Sequence, residues 1–359
     1  PYEVFNIVPS FLGYGGHESS NLIFIDTRAY KLPGFLIRYF DFLISHETGH
    51  QWFYNVVGSD EYKETFLDEG LNSYWLLQHI ENKYGENAQV MVLPESLKWI
   101  VPNFSFRDSR IARYNFLVKN GYDRPILGEI SSFKEPSSIF ALTYGKGSAI
   151  ISMLSSIIGN EIFFKAIHRY MQDFKFKNVR LSDFISICEE ESGKELDWFF
   201  DQWLKTDKQC DYAISDIKER SILLSRKGQI QMPVKLKVKF ADGNEEILTW
   251  DGQDNLKVMD FDKNIESAKV DPDDTLLDID RTNNVWPRSL HIKPVPIYFF
   301  AYEIPVFLRQ DAYNIIVGPD VFDSLGIKAS LQKPGDDILY IKSGYDFNSE
   351  SVKSTLGYQ

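Results

Sequence analysis

Two histidines four residues apart, with one glutamate between them and another further on, constrain this chain more than any other feature. The run is His46-Glu47-Thr48-Gly49-His50, and eighteen residues separate His50 from Glu69. On a helix, residues i and i+4 share a face, so both rings can aim a nitrogen at one point. Two imidazoles held that way supply half of a tetrahedral metal site. Glu47 lies about 100° round the same helix. Its carboxylate then stands beside the open position, where a water would bind. A third ligand must come from another element, and Glu69 opens a second helical pattern. The fold must therefore bring two helices together across a long connection. Two histidines, a glutamate and an open position make a catalytic zinc set, whereas a structural site is closed by four protein ligands, usually with cysteine.

Two surface histidines on an ordinary helix would be the plain alternative. The flanks, Phe40-Asp41-Phe42-Leu43-Ile44-Ser45 and Gln51-Trp52-Phe53-Tyr54, are too apolar for a solvated face. The chemistry that fits is metal-assisted amide hydrolysis, with one Zn²⁺ per chain on His46, His50 and Glu69. Glu47 is the general base that takes a proton from water and returns it to the leaving amine. Ser73, four residues after Glu69, is expected to orient that ligand. His79 and His168 lack partner spacing and read as structural, His17 as a satisfied loop side chain, and His291 as exposed.

The segments His46–Tyr54 (HETGHQWFY) and Phe66–Tyr74 (FLDEGLNSY) resemble the gluzincin aminopeptidases of the aminopeptidase N and leukotriene-hydrolase type. Tyr144-Gly145-Lys146-Gly147 is similar to that family's Y-x-K-G segment, and Asp197–Leu204 to the end of its helical catalytic domain. The resemblance covers about residues 1–287 and implies a bacterial member met as a fragment, beginning inside the catalytic domain. It implies that Tyr144 donates a hydrogen bond to the tetrahedral intermediate. It also implies that Glu18 grips the free α-amino group of a peptide, with Gly15 and Gly16 among the substrate-binding residues. The family's G-x-M-E-N signature reads Gly15-Gly16-His17-Glu18-Ser19 here, with His17 and Ser19 in place of Met and Asn. That departure keeps open an endopeptidase with a wide cleft beside the aminopeptidase reading. A non-catalytic binding or membrane-assembly module is the third reading, and the presence of both Glu47 and Tyr144 argues against it.

A net charge of −12 disfavours nucleic acid as a partner and leaves a peptide as the expected one. An aromatic content of 15% argues against disorder. Two cysteines, Cys188 and Cys210, do not make a disulfide framework, and whether they pair stays open. Oligomeric state and location stay open too, with the cell envelope favoured. No run of eighteen apolar residues occurs.

The expected fold class is α+β: a thermolysin-like, mainly helical zinc peptidase domain over 1–208, a small all-β, Ig-like sandwich over 209–287, and a β-rich extension over 288–359. Residues 21–26 read as a buried strand beside the Glu18 loop. In the architecture the resemblance implies, an edge strand there pairs with bound peptide. Residues 35–57 read as the zinc helix ended by Gly58, and 68–84 as the next helix ended by Gly85. Residues 86–101 read as helical with a break at Pro94, and 102–138 as irregular. Helices follow over 161–174, from Ser182 or Asp183 to 191, and over 195–205. Val234–Phe240 alternates apolar and cationic, and Asp242-Gly243 marks a hairpin. Prolines 294, 296 and 305 suggest that 287–311 is an extended linker or a docking segment. Residues 324–359 alternate again with exposed aromatics; a small hairpin packed on the sandwich is the plainer reading, and the opening strands of a membrane β-barrel, with membrane association through the extension, the alternative.

Overall fold

The computed structural model describes every residue except 1, 2, 130, 132, 134, 135, 323, 324, 337, 347 and 348. The chain divides into two compact units, one holding residues up to Val92 with Ser105–Asp207, the other Leu93–Phe104 with Lys208–Gln359. Among the described residues no single helix is long and apolar enough to cross a membrane.

The first unit opens with β1 (Asn6–Ser10), β2 (Gly16–Ser19) and β3 (Leu22–Asp26), in the order β1-β3-β2. The apolar run of β3 takes the centre: Ile23 and Ile25 are fully buried and join a cluster with Leu43 of the following helix. That leaves β2, which carries Glu18, on an edge. Helix α1 (Ile37–Gly49) ends well before Gly58. The backbone and side-chain N–H groups of Asn55 both reach back to the His50 carbonyl, at 3.0 and 2.9 Å. Tyr54 turns into the left-handed region, φ 107°, and the chain leaves as β4 (Val57–Ser59), parallel to β5 (Lys177–Val179). A π-helical turn, Phe66–Gly70, precedes α2 (Leu71–Tyr84), which stops at Gly85 with φ 95°, as its sequence predicts.

Within 86–101 only α3 (Glu95–Lys98) is helical. The stretch expected to be irregular contains α4 (Phe106–Lys119), capped by Ser105 Oγ, which accepts from Asp108 N at 2.9 Å. Its buried side includes Asn115 among Ile111, Tyr114 and Leu117, which blurs the apolar period. After α5 (Pro136–Ile139) a second π-helical turn, Phe140–Lys146, leads into α6 (Gly147–Ile158). Helices α7 (Asn160–Asp173), α8 (Leu181–Ser192) and α9 (Asp197–Leu204) follow. Burial of Phe163, Tyr170, Phe184, Phe200 and Trp203 makes this half a largely aromatic core, with edge-on contacts such as Tyr170–Phe184 at 5.5 Å.

The second unit begins with two sheets built from β6 (Tyr212–Lys218), β7 (Ser221–Arg226), β8 (Val234–Phe240), β9 (Glu245–Trp250), β10 (Leu256–Asp260), β11 (Ile265–Val270) and β12 (Val285–Trp286). Their orders are β10-β7-β6 and β12-β11-β8-β9. Strand β8 buries Val234, Leu236, Val238 and Phe240, while Lys235, Lys237 and Lys239 pair with Asp273, Glu245 and Glu266. Tyr212 of one sheet meets Trp250 of the other edge-on at 5.3 Å. Cys188 and Cys210 are both free and buried.

The proline-rich stretch is folded rather than extended. It forms β13 (Leu290–Pro294) and two short turns, and Val295, Tyr298, Tyr302 and Leu308 are buried with Ile316. Prolines that bar a helix do not bar a strand end or a 3₁₀ turn. Strands β14 (Tyr313–Asp320), β15 (Leu325–Gln332), β16 (Ile338–Asp346) and β17 (Ser351–Tyr358) complete a five-stranded sheet in chain order.

Asp278 is fully buried and accepts from the backbone N–H groups of Tyr212 and Asp280, at 2.9 and 2.8 Å. Burial, reinforced by the charge of Asp211, pushes its pKa from 3.8 up to about 8. Folding therefore takes up a proton on Asp278 between those values. Stability from this group is complete below the lower pKa and lost as the pH rises through the upper one. Asp278→Asn should flatten the fall of unfolding free energy between about pH 5 and 8. Superimposable urea-unfolding profiles for the two proteins across that window would contradict this.

Candidate metal centre

Helix α1 delivers His46 and His50 one turn apart, and the first π-helical turn delivers Glu69. Their donor atoms form a near-equilateral triangle. His46 Nε2 lies 3.2 Å from His50 Nε2, and Glu69 Oε2 lies 3.3 and 3.4 Å from the same two nitrogens. Ligands about 2.0–2.1 Å from a tetrahedral zinc stand about 3.3–3.4 Å apart. The three atoms thus match one face of a zinc tetrahedron, and the fourth vertex is left to a non-protein ligand. Both rings are fixed from behind. Asp68 Oδ1 meets His50 Nδ1 at 2.6 Å, and Asn72 Nδ2 donates to the His46 carbonyl at 2.9 Å, with His46 Nδ1 3.4 Å away. Partners of this kind set the tautomer and aim of a ligating imidazole. Gly49 is required here, because a Cβ would sit 1.9 Å from Asn72 Oδ1.

Glu47 is buried on the same helix, and its Oε2 has no hydrogen-bond partner among the described residues. Burial, with Glu18 and Glu69 adding repulsion against the opposing pull of His50, pushes its carboxyl up to about 8. Gly16 on β2 is packed against it, since a Cβ would lie 2.5 Å from Glu47 Oε1. Gly15 packs in the same way on Leu43. Glu18 faces Glu61 and Asp68, with carboxylate oxygens of all three within 4.8 Å of one another. Gln51 fixes this edge strand to the helix: its Nε2 donates to the Ser19 carbonyl at 3.0 Å and its Oε1 accepts from Asn21 N at 2.9 Å.

Tyr144 lies on the second π-helical turn and donates its hydroxyl to Glu69 Oε1, with its ring 5.5 Å from that of His46. Burial, then the Glu69 charge, holds the phenol far above its usual range. The structure therefore brings His46, Glu47, His50, Glu69 and Tyr144 to one place, with Glu18, Gly15 and Gly16 beside it. Ser73 is different: no described hydrogen bond joins it to Glu69, and Tyr144 fills that role. Asp68, Asn72, Gln51 and Glu61 escaped the sequence reading. Asp68 and Asn72 stand one residue before and three after Glu69, and Gln51 directly follows His50, so adjacency to the motifs was their only signal.

A family model described as the Peptidase family M1 domain matches residues 5–203, the segment that holds this whole centre. The chain belongs to peptidase family M1. Aminopeptidase A of Gloydius brevicauda is 27% identical over 230 residues, 60% of this chain and 22% of its own length. Glutamyl aminopeptidase of Sus scrofa is 28% identical over 189 residues, 52% of this chain and 18% of its own. Alanine/arginine aminopeptidase of Saccharomyces cerevisiae is 27% identical over 180 residues, 49% and 19%. The chain thus spans about a fifth of the length of these relatives. In fold it is similar to aminopeptidase A of Legionella pneumophila, solved in complex with aspartic acid, with a TM-score of 0.50, 18% identity, and 74% of this chain against 30% of that one.

The M1 segment also contains a wholly buried lysine. Lys146 Nζ lies 3.3 Å from Asp123 Oδ1 and 5.3 Å from the centre of the Tyr114 ring, whose hydroxyl donates to Asp123 Oδ2 at 3.0 Å. Burial lowers its pKa and Asp123 pushes back. Lys146→Met strands Asp123 without its cation and should cost about 3–5 kcal/mol in urea unfolding. Adding Asp123→Asn should recover most of that loss. A single variant as stable as the parent would refute the pairing.

Proposed function

We propose that the first unit is the catalytic domain of a zinc-dependent metallopeptidase that removes residues from the N-terminus of peptides. The observation that carries this reading is the donor triangle of His46, His50 and Glu69, with an unpartnered Glu47 oxygen at its side. Zinc bound there would acidify a water and polarise the scissile carbonyl. Glu47 takes the proton of the attacking water and hands it to the departing amine. The Tyr144 hydroxyl, already aimed at this centre, turns to the oxyanion as charge develops there. Asp68 and Asn72 keep the two rings in place throughout.

Exopeptidase action rests on the far side of the cleft. Glu18 stands on the edge strand β2, next to Glu47, and its carboxylate can receive a substrate ammonium. Glu61 and Asp68 add negative potential at that point. The free edge of β2 offers backbone groups to an extended peptide, so the first residue is held by charge and the next ones by strand pairing. The names of the relatives, aminopeptidases from snake, pig and yeast, agree with this reading.

Glu47→Gln should retain close to one zinc per chain by elemental mass spectrometry and lose turnover by about 10²-fold or more. Retained turnover with retained zinc would remove Glu47 from its role. A peptide pool with half of its N-termini acetylated tests the exopeptidase reading. Stepwise loss from free N-termini alone is expected, and Glu18→Gln should raise KM for these peptides. Internal cuts in both halves would make the protein an endopeptidase, and the Glu18 assignment would go with it.

A further inference from the structure

The sheet β13–β17 is covered on the wrong side for a protein in water. Residues opposite one another across paired strands share a face, so the register sorts the side chains. One row reads Ile292, Ile315, Leu331, Leu339 and Tyr358 from the first strand to the last. Among the described strand residues this face carries no charge. Its two polar side chains, Ser343 and Ser354, bond each other at 2.9 Å. The face is bare: Ile327 is 60% exposed, Ile341 55% and Leu356 74%.

The opposite face holds the polar groups, and over β14 and β15 the chain covers it. Asn314, Asp320, Ser330 and Gln332 are buried there. Lys342 pairs with Asp320 at 2.8 Å, and Tyr298 Oη, from the folded proline-rich stretch, donates to Ser330 Oγ at 2.6 Å. A sheet in water buries its apolar face and wets the other. This one does the reverse, which is the arrangement of a strand with lipid on one side.

We propose that the apolar face of β14–β17 contacts the hydrocarbon core of a bilayer, with the polar face as the protein interior. The dimensions agree. Strands of 8 or 9 residues run about 26–30 Å. Tilted by 35–45° they cover roughly 20–25 Å of membrane depth, the height of the apolar band of a membrane barrel. The antiparallel order β14-β15-β16-β17 is that of an up-and-down barrel wall. A second copy of the chain is the poorer occupant. The face offers no polar rim to fix an orientation between two copies.

The test uses the whole chain with a bimane label at Ile341→Cys or Leu356→Cys on the bare face, and at Lys353→Cys or Thr355→Cys on the other. The native Cys188 and Cys210 are buried and stay unlabelled under native conditions. Protein is mixed with phosphatidylcholine vesicles carrying brominated acyl chains. Co-flotation and strong quenching at 341 and 356, with little at 353 and 355, is the expected result. Ile341→Arg should weaken vesicle partition by roughly 30-fold or more, whereas Thr355→Arg should leave it unchanged. Failure to float, or equal quenching at all four positions, would overturn the proposal. A lipid-free dimer that shields 341 and 356 would overturn it in favour of self-association.

Discussion

Glu69 is met by two imidazoles from one helix and a phenol from a separate turn, and the geometry of the centre depends on that convergence. Tyr144 and Glu69 each sit on a π-helical turn, where an extra residue widens the helix and re-aims the side chains beyond it. The two turns touch where each passes into its α-helix. A Cβ on Gly147 would stand 3.1 Å from the Gly70 Cα, and one on Gly70 would strike the Phe66 ring at 2.9 Å. A side chain at either glycine would push these neighbours apart, on the two turns that carry the phenol and the carboxylate. The motif residues supply the chemistry, and the glycines beside them supply the distance.

The same convergence concentrates negative charge. Glu18, Glu47, Glu61, Asp68 and Glu69 surround two histidines, and several of them repel one another through a partly dry interior. Burial and that repulsion push Glu47 and Glu61 up, and Asp68 up to about 7 even with His50 against it. Glu69 goes the other way: burial opposes its charge, but the bonds from His46 and His50 outweigh burial and hold it ionised. A centre made this way is poorly balanced by protein alone. A divalent cation at the donor triangle is the charge that such a set lacks, and it acts on every one of these carboxyls.

The two histidines and the glutamate proposed as general base were legible as one cluster because helical periodicity ties i to i+4, and that relation survives any tertiary arrangement. Glu69 was legible through the resemblance of its flanks, since an eighteen-residue gap has no geometric meaning of its own. The supports were not legible. Asp68 reaches His50 and Asn72 reaches His46, while no described hydrogen bond joins Ser73 to Glu69. A rule of four residues on one face assumes an unbroken α-helix from Glu69 onward. The long zinc helix failed for a related reason. Apolar residues continue to Val57, but Asn55 caps the His50 carbonyl and the chain turns into a strand. Helix α4 was lost in the opposite direction, because its buried side carries Asn115 and its period is weak.

The two β regions show what alternation can and cannot say. Strand β8 alternates valine, leucine and phenylalanine with lysine, and strand β16 alternates leucine, isoleucine and tyrosine with residues that again include lysine. The written patterns are alike. In β8 the apolar set is buried and the lysines pair with surface acids. In β16 Lys342 bonds the buried Asp320, while Ile341 stands in the open. A period of two states that the faces differ, and nothing more. Which face is covered is decided by what packs on the sheet. Here it is the stretch around Tyr298 and Tyr302, where the Tyr298 hydroxyl bonds Ser330 on the polar side and both rings are buried with Ile316. The prolines that made this stretch look like a linker bend it into the compact turns that reach that face. With Tyr298 packed on the polar side, the exposed apolar side is the one that faces lipid in the proposed arrangement.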